Sequence, residues 1–181
     1  MRTQILVLVA AVCTAAPVAA QTRVTSPDNR NEVQVAIHEG GLYYLVNRDG
    51  KPLLTPSRLG FVFRGQPPLR DSLAIADSSR STFDETWTQP WGEVRRVRNH
   101  YNELKVAVQE NSGPKRQFTL AVRAFNDGVA FRYEFPEKSP DVRTVDSEAT
   151  SFRFPADTKA WLQPMSVAKT GWVHTNPSYE E

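Results

Sequence analysis

Apolar and polar residues alternate most cleanly in the middle of the chain. Phe118, Leu120, Val122 and Ala124 occupy every second position before Asn126-Asp127-Gly128, and Val129, Phe131, Tyr133 and Phe135 do so after it. A period of two is the signature of a half-buried strand. The Asn and Gly between the two runs tolerate the positive φ of a tight hairpin turn. Each strand then has one apolar face, so the hairpin needs a second layer to cover it. Nearer the N-terminus, Val33, Val35 and Ile37 alternate with Glu32, Gln34 and Ala36, and Gly40-Gly41 breaks the run. Leu42, Tyr44 and Val46 then lead to Asp49-Gly50, a second tight-hairpin dipeptide.

The remaining segments carry weaker versions of this pattern. The stretch from Gln21 to Asn31 is polar and turn-prone, with Ser26-Pro27-Asp28-Asn29 as a lead-in turn. Leu59-Gly60-Phe61-Val62-Phe63 is short, apolar and rich in β-formers, which predicts a buried strand. Leu73, Ile75 and Phe83 mark weaker strands, and Trp87 to Gly92 is aromatic, proline-broken and irregular. The alternation resumes at Val94 and Val97, becomes clean at Leu104, Val106 and Val108, and turns at Ser112-Gly113-Pro114. Beyond Pro136, short strands are expected from Val142 to Val145, at Ser151-Phe152-Arg153-Phe154 and at Ala160-Trp161-Leu162-Gln163-Pro164. No segment sustains a helical period with caps. The pattern predicts an all-β fold, an antiparallel β-sandwich. The chain reaches Tyr179-Glu180-Glu181 without a closing strand, so the sandwich is expected to be incomplete at its C-terminal end.

Composition narrows the class. The chain has 181 residues, 22 basic and 20 acidic, for a formal net charge of +2, and only Arg95-Arg96-Val97-Arg98 is locally basic. That is a solvated strand face rather than a nucleic-acid footprint. Met1-Arg2, the apolar run from Ile5 to Val12 and the small residues Val18-x-Ala20 read as a signal peptide over residues 1–20. Its apolar core is too short to span a bilayer. The only cysteine, Cys13, lies inside it, so the domain expected over residues 21–181 has no disulfide framework and is held by its core. Export without disulfides suits a bacterial periplasmic or secreted protein, with no membrane association after cleavage.

Three groups of residues could carry chemistry. In Asp84-Glu85-Thr86-Trp87-Thr88-Gln89-Pro90-Trp91-Gly92-Glu93, acids and indoles interleave as they do in sugar sites; the alternative is that Trp87 and Trp91 serve packing between layers. Arg98-Asn99-His100-Tyr101-Asn102-Glu103 offers Asn99 and His100 to a ligand, although such residues more often satisfy loop backbone groups. The third is His174 with Tyr179, Glu180 and Glu181, whose adjacent carboxylates could give one oxygen ligand to a hard cation. The chain has no HExxH, paired CxxC, phosphate loop or GxSxG elbow, which argues against a self-contained zinc or nucleophile site.

Three long motifs, in order, carry a resemblance. Asp84-Glu85-Thr86-Trp87 with Trp91-Gly92-Glu93, then the run from Val97 to Leu104, then Phe125-Asn126-Asp127-Gly128-Val129-Ala130-Phe131-Arg132-Tyr133-Glu134-Phe135 resemble the N-terminal domain of glycoside hydrolase family 97. Ser26-Pro27-Asp28, Phe152-Arg153-Phe154-Pro155 and Ala160-Trp161 agree with it. The resemblance implies a galactose-mutarotase-like supersandwich, exported to the periplasm, that precedes a catalytic (β/α)8 barrel. It implies a parent enzyme that hydrolyses α-glucosides or α-galactosides of an oligo- or polysaccharide and uses calcium. It further implies that the barrel supplies the catalytic acid and base, while this domain packs on it and lends one carboxylate to the calcium. Glu180 looks like that carboxylate, with Glu181 as its alternative. No barrel is present in the chain, so no catalytic residue is assigned, turnover by this polypeptide alone is not expected, and it would hold calcium weakly or not at all. The alternatives are a free-standing carbohydrate-binding module and a purely structural sandwich.

Overall fold

A computed structural model describes residues 21–136 and 143–161, and among them every regular element is a strand. The first four strands, β1 (Gln21–Thr25), β2 (Asn31–His38), β3 (Gly41–Arg48) and β4 (Lys51–Leu59), form an antiparallel meander. The short β5 (Phe61–Phe63) follows. A second meander consists of β6 (Leu73–Thr88), β7 (Arg96–Glu110), β8 (Gln117–Phe125) and β9 (Val129–Glu134). The last strand, β10 (Val145–Glu148), returns to pair with β5.

The two meanders face each other, and the alternating residues read from the sequence form the layer between them. Val33 and Val35, then Leu42, Tyr44 and Val46, meet Leu104, Val106 and Val108, then Phe118, Leu120, Val122 and Ala124, all buried. Leu59, Phe63, Leu69 and Leu73 close one end of this core. Aromatic rings of β5 and β9 interlock at that end: Phe61 meets Tyr133 edge-on at 4.5 Å, and Phe63 packs on Phe61 at 5.7 Å. Edge-to-face contact of this kind adds to the burial of the rings. The expected all-β sandwich is the observed fold.

The turns divide by mechanism. Asp49 and Gly50 have φ of 50° and 74°, the pair of left-handed residues that a two-residue hairpin requires. The Asn126-Asp127-Gly128 turn does not use positive φ at all. It is held instead by tertiary bonds: the Asn126 carbonyl accepts from Asn31 Nδ2 and Arg48, and its Oδ1 accepts from the Asp28 amide at 3.0 Å.

Four other expectations need correction. Residues 21–25, read as polar lead-in, form β1 and pair in register with β2 from Gln21↔Ala36 to Thr25↔Glu32. An edge strand needs little apolar character, and only Val24 reaches the core. The weak signals at Leu73, Ile75 and Phe83 belong to one 16-residue strand, β6. Only its first part lies over the core; the rest is exposed and lost the alternation that a covered face imposes. Phe152-Arg153-Phe154 is not a strand, and of the segment expected over 160–164 only Ala160 and Trp161 are among the described residues, neither of them in a strand. The chain around Ser151 does run beside β4, but β4 carries Pro52 and Pro56, which donate nothing to a ladder. Hydroxyls fill in: Ser151 Oγ accepts from the Arg58 amide at 2.7 Å, and Ser57 Oγ accepts from the Arg153 amide at 2.9 Å. Lastly, Val94 lies in the connection between β6 and β7 rather than on a strand.

Among the described residues one ion pair is buried on both sides. Glu110 accepts from Arg116 Nε at 2.8 Å, Nη2 at 2.6 Å and the backbone amide at 2.9 Å. The guanidinium also donates to the Pro67 carbonyl and Gln66 Oε1, so the pair ties the β7–β8 turn to the loop after β5. Burial pushes the Glu110 carboxyl up, but the bonds from Arg116 outweigh it and leave the group below the usual range.

Candidate functional site

Of the residues singled out for chemistry, Trp87, Trp91, Asn99 and His100 fall on the β6–β7 hairpin. It is longer than the sheet it belongs to. β8 covers β7 only from Tyr101 to Gln109, while β6 pairs with β7 as far as Trp87↔Val97 and Thr88↔Arg96. A two-stranded ribbon therefore projects past the end of β8. Strand geometry sorts its side chains onto opposite faces. Leu104 faces the core, so Asn102, His100 and Arg98 share its side, with Arg80, Thr82, Asp84 and Thr86 opposite them. Tyr101, Asn99 and Val97 face outward, with Phe83, Glu85 and Trp87 opposite them.

This arrangement separates residues that are adjacent in sequence. Asp84 faces inward and is clamped by Arg98, Oδ1 accepting from Nε at 2.8 Å and Oδ2 from Nη2 at 2.6 Å. The hydrogen bond to Arg98 holds its carboxyl below the ordinary value. Glu85 faces outward beside Trp87 and opposite Asn99. The interleaved acids and indoles thus form two sets, an inward acid already paired and an outward acid next to an indole. Asn99 and His100 likewise take opposite faces.

Where β8 stops and β7 continues, the step leaves a groove of about 610 Å³. Trp87, Val97 and Phe125 supply its apolar wall, and Asn99, His100 and Asp127 supply polar groups. Trp91 sits at the tip of the ribbon, outside this groove, and is 83% exposed. Four candidates named from sequence, Trp87, Trp91, Asn99 and His100, therefore belong to one ribbon, and three of them line one groove. The other candidates, His174, Glu180 and Glu181, lie outside the described residues. Among the described residues no three His, Asp, Glu or Cys side chains gather where a metal ion could sit.

Sequence reasoning missed the aromatic ladder behind Trp87. Phe83 stacks on Tyr101 at 5.3 Å, Tyr101 meets Phe125 at 5.1 Å, and the Arg123 guanidinium lies 4.4 Å over the Tyr101 ring. Arg123 Nε also donates to Glu103 at 2.7 Å. The signal for the ladder was present as parity: Phe83 and Trp87, and Val97 and Tyr101, are spaced by four and so share a strand face. It is opposite in phase to Leu104, Val106 and Val108, and the two phases were not read as separate faces.

Two meandering sheets with an aromatic ribbon standing off one end define a β-sandwich domain with an unshared apolar surface. Residues 24–181 match the family model described as Glycosyl-hydrolase 97 N-terminal, and the chain belongs to that family. It is 28% identical over 151 residues to a retaining alpha-galactosidase of Bacteroides thetaiotaomicron, an alignment that covers 83% of this chain and 22% of the relative. Among solved structures, a beta-arabinopyranosidase superposes with a TM-score of 0.77 at 31% identity, over 88% of this chain and 25% of that one. A glycoside hydrolase family 97 enzyme from Pseudoalteromonas sp. strain K8, in complex with panose, superposes with a TM-score of 0.71 at 26% identity, over 75% of this chain and 20% of that one. The chain thus spans about a quarter or less of the enzymes it matches.

Proposed function

We propose that this chain is the non-catalytic N-terminal sandwich of an exported glycosidase that acts on α-glucosides or α-galactosides. The observation that supports this is the match over residues 24–181 to a domain whose relatives are several times longer and are named as glycosidases. Its part in catalysis is to pack on a catalytic (β/α)8 barrel and lend that barrel a carboxylate. Two carboxyl groups flanking a glycosidic bond are the ordinary requirement for hydrolysis. In this reading the barrel carries both, and this chain alone turns over no substrate.

Calcium enters this reading through Glu180, with Glu181 as the alternative donor. One carboxylate supplies at most two of the roughly six to eight oxygens that calcium takes. The other ligands would come from outside this chain, and the 181-residue polypeptide would hold the ion weakly. Export is assigned to residues 1–20 as a cleaved signal peptide, which leaves a mature protein starting at Gln21 in the periplasm or medium.

The test is an assay of aryl α-glucosides and α-galactosides with the chain alone and with the continuous polypeptide encoded from its start codon through the downstream reading frame. Turnover by the longer polypeptide only, lost with calcium removal and weakened in calcium affinity at least tenfold by Glu180→Gln, is the expected result. Turnover by the 181-residue chain itself would sink the proposal. A second reading, a carbohydrate-binding module, is favoured by the groove of Trp87, Phe125, Asn99 and Asp127. It predicts quenching of tryptophan fluorescence by panose or a galactoside, lost in Trp87→Ala.

A further inference from the structure

The apolar phase of the alternation changes sides along β6 and β7. Over the sandwich, the apolar positions of β7 are Leu104, Val106 and Val108, which face the first sheet. Along the ribbon the apolar positions are Tyr101 and Val97, and across the ladder Phe83 and Trp87, which face away from it. The inward positions of the same stretch are polar: Thr82, Asp84 and Thr86, with Arg98, His100 and Asn102. The first sheet ends at β1, and the last inward contacts are Arg80 Nε and Asn102 Nδ2 donating to the Arg23 and Thr25 carbonyls.

A ribbon in water on both sides has no reason to sort its side chains by face, whereas one covered on a single side sorts them in this way. Phe83 is 39%, Trp87 45%, Val94 58% and Trp91 83% exposed, so four large apolar side chains crowd one ribbon. Crowding of that kind marks an interaction surface, unlike apolar residues scattered singly. Farther along the same outward face the finish changes. Lys105 donates to Glu134 at 3.2 Å, Arg132 to Glu134 at 2.8 Å and Arg123 to Glu103 at 2.7 Å, a charged tiling that suits solvent. On this outward face the exposed rings stop at the ribbon and the adjoining end of β8; the other exposed apolar side chains among the described residues, Phe152, Phe154 and Trp161 among them, lie outside β6–β9.

The occupant follows from proportion. The matched span is 22% of the alpha-galactosidase and 20–25% of the two superposed enzymes, so most of each relative lies beyond it. A domain joined to so large a body meets it over an interface, commonly about 600–1,500 Å² within one chain, anchored by aromatic side chains. We infer that the outward face of the β6–β7 ribbon, centred on Phe83 and Trp87 with Phe125 beside them, is the surface on which the rest of the enzyme seats. The inference rests on the reading of this chain as part of a larger glycosidase and adds which face is used. The surface that meets it is protein, apolar at its centre, and carries a hydrogen-bond donor or a cation opposite Glu85.

The test is co-expression of the tagged 181-residue chain with the portion of the Bacteroides thetaiotaomicron enzyme outside the matched span, read by co-purification and sedimentation. A one-to-one complex is expected. It should weaken at least tenfold with Phe83→Ser plus Trp87→Ser and stay unchanged with Leu53→Ser on the other sheet, while circular dichroism shows every variant folded. A complex that the ribbon variants form as tightly as the parent overturns the choice of face and leaves the domain reading standing. No complex between two folded polypeptides overturns both. Without a complex, a ribbon-dependent homodimer makes a second copy the occupant, and ribbon-dependent quenching by panose makes it a sugar; either overturns the inference. A fusion of the chain to that remainder covers a remainder insoluble by itself. It should melt in one transition that the ribbon variants split in two, and a single melt unmoved by them counts against the inference.

Discussion

At the scale of single residues, stability is concentrated at a few groups whose partners are fixed. Arg116 and Glu110 are 6% and 5% exposed, so removing one leaves the other charged and buried. Arg116→Met should cost about 3–5 kcal/mol in urea unfolding, the range for breaking a buried pair from one side. The same pair sets an acid limit. The Glu110 carboxyl lies below 4.5 when folded, so its contribution is complete above that pH and is lost as pH falls through the folded value. A flatter stability curve below pH 4.5 is expected for Glu110→Gln than for the parent.

Tyr133 sets the matching alkaline limit. Burial pushes its phenol up to about 12, while its hydroxyl lies 2.7 Å from Thr150 Oγ1 and accepts from the Gly60 amide at 3.3 Å. An unfolded tyrosine ionises near 10, so the native state keeps a proton that the unfolded state has lost. Stability from this group is therefore complete below pH 10 and disappears as pH rises toward 12. Ultraviolet titration should show late-ionising tyrosine, Tyr44 also being pushed up by burial, and Tyr133→Phe should reduce that component. Gly60 is a third fixed point. At φ of 148°, an added Cβ would lie 2.6 Å from Arg70 Cβ and 2.8 Å from the Leu69 carbonyl oxygen, so Gly60→Ala should cost about 2 kcal/mol by thermal unfolding.

At the scale of elements, β6 and β7 each have two parts with different duties. Over the sandwich they hold the core, and Val106→Ala should cost about 2 kcal/mol, the loss of buried methyl groups plus the space left behind. On the ribbon the same pairing carries half-exposed rings, and Trp87→Ser should change the unfolding free energy by less than about 0.5 kcal/mol. A pair of denaturant titrations decides this. The division also explains what the sequence disclosed. β2, β3, β7 over the core, β8 and β9 were legible because a covered face enforces alternation. The ribbon half of β6 was not, because its sides have opposite roles: Thr82, Asp84 and Thr86 face water, and the rings face outward. β1 was hidden because a five-residue edge strand needs only Val24 to be buried. The turn at Asn126 was foreseen in place but not in kind, since its support comes from Asn31, Arg48 and Asp28, remote in sequence.

At the scale of the whole molecule, β6 is an edge strand 16 residues long, and among the described residues no second strand pairs with it besides β7. Long bare edges recruit other strands. The candidate site follows the same logic. Trp87, Trp91, Asn99 and His100 were legible as unusual residue types in one stretch, whereas their common surface with Phe125 and Asp127 depends on where β8 stops, which no local pattern encodes.

The wiring of the two sheets has a temporal consequence. Within each meander every strand pairs with its neighbour in sequence, so the first sheet is complete once Leu59 is available, and the second needs nothing earlier than Leu73. Short loop closures of this sort are fast, whereas joining the two sheets needs contacts remote in sequence, which form more slowly. A chain emerging N-terminus first can therefore assemble its opening sheet before the other half exists. That sheet's apolar face must then wait for a cover, a vulnerable interval during which a holding chaperone would have most to offer.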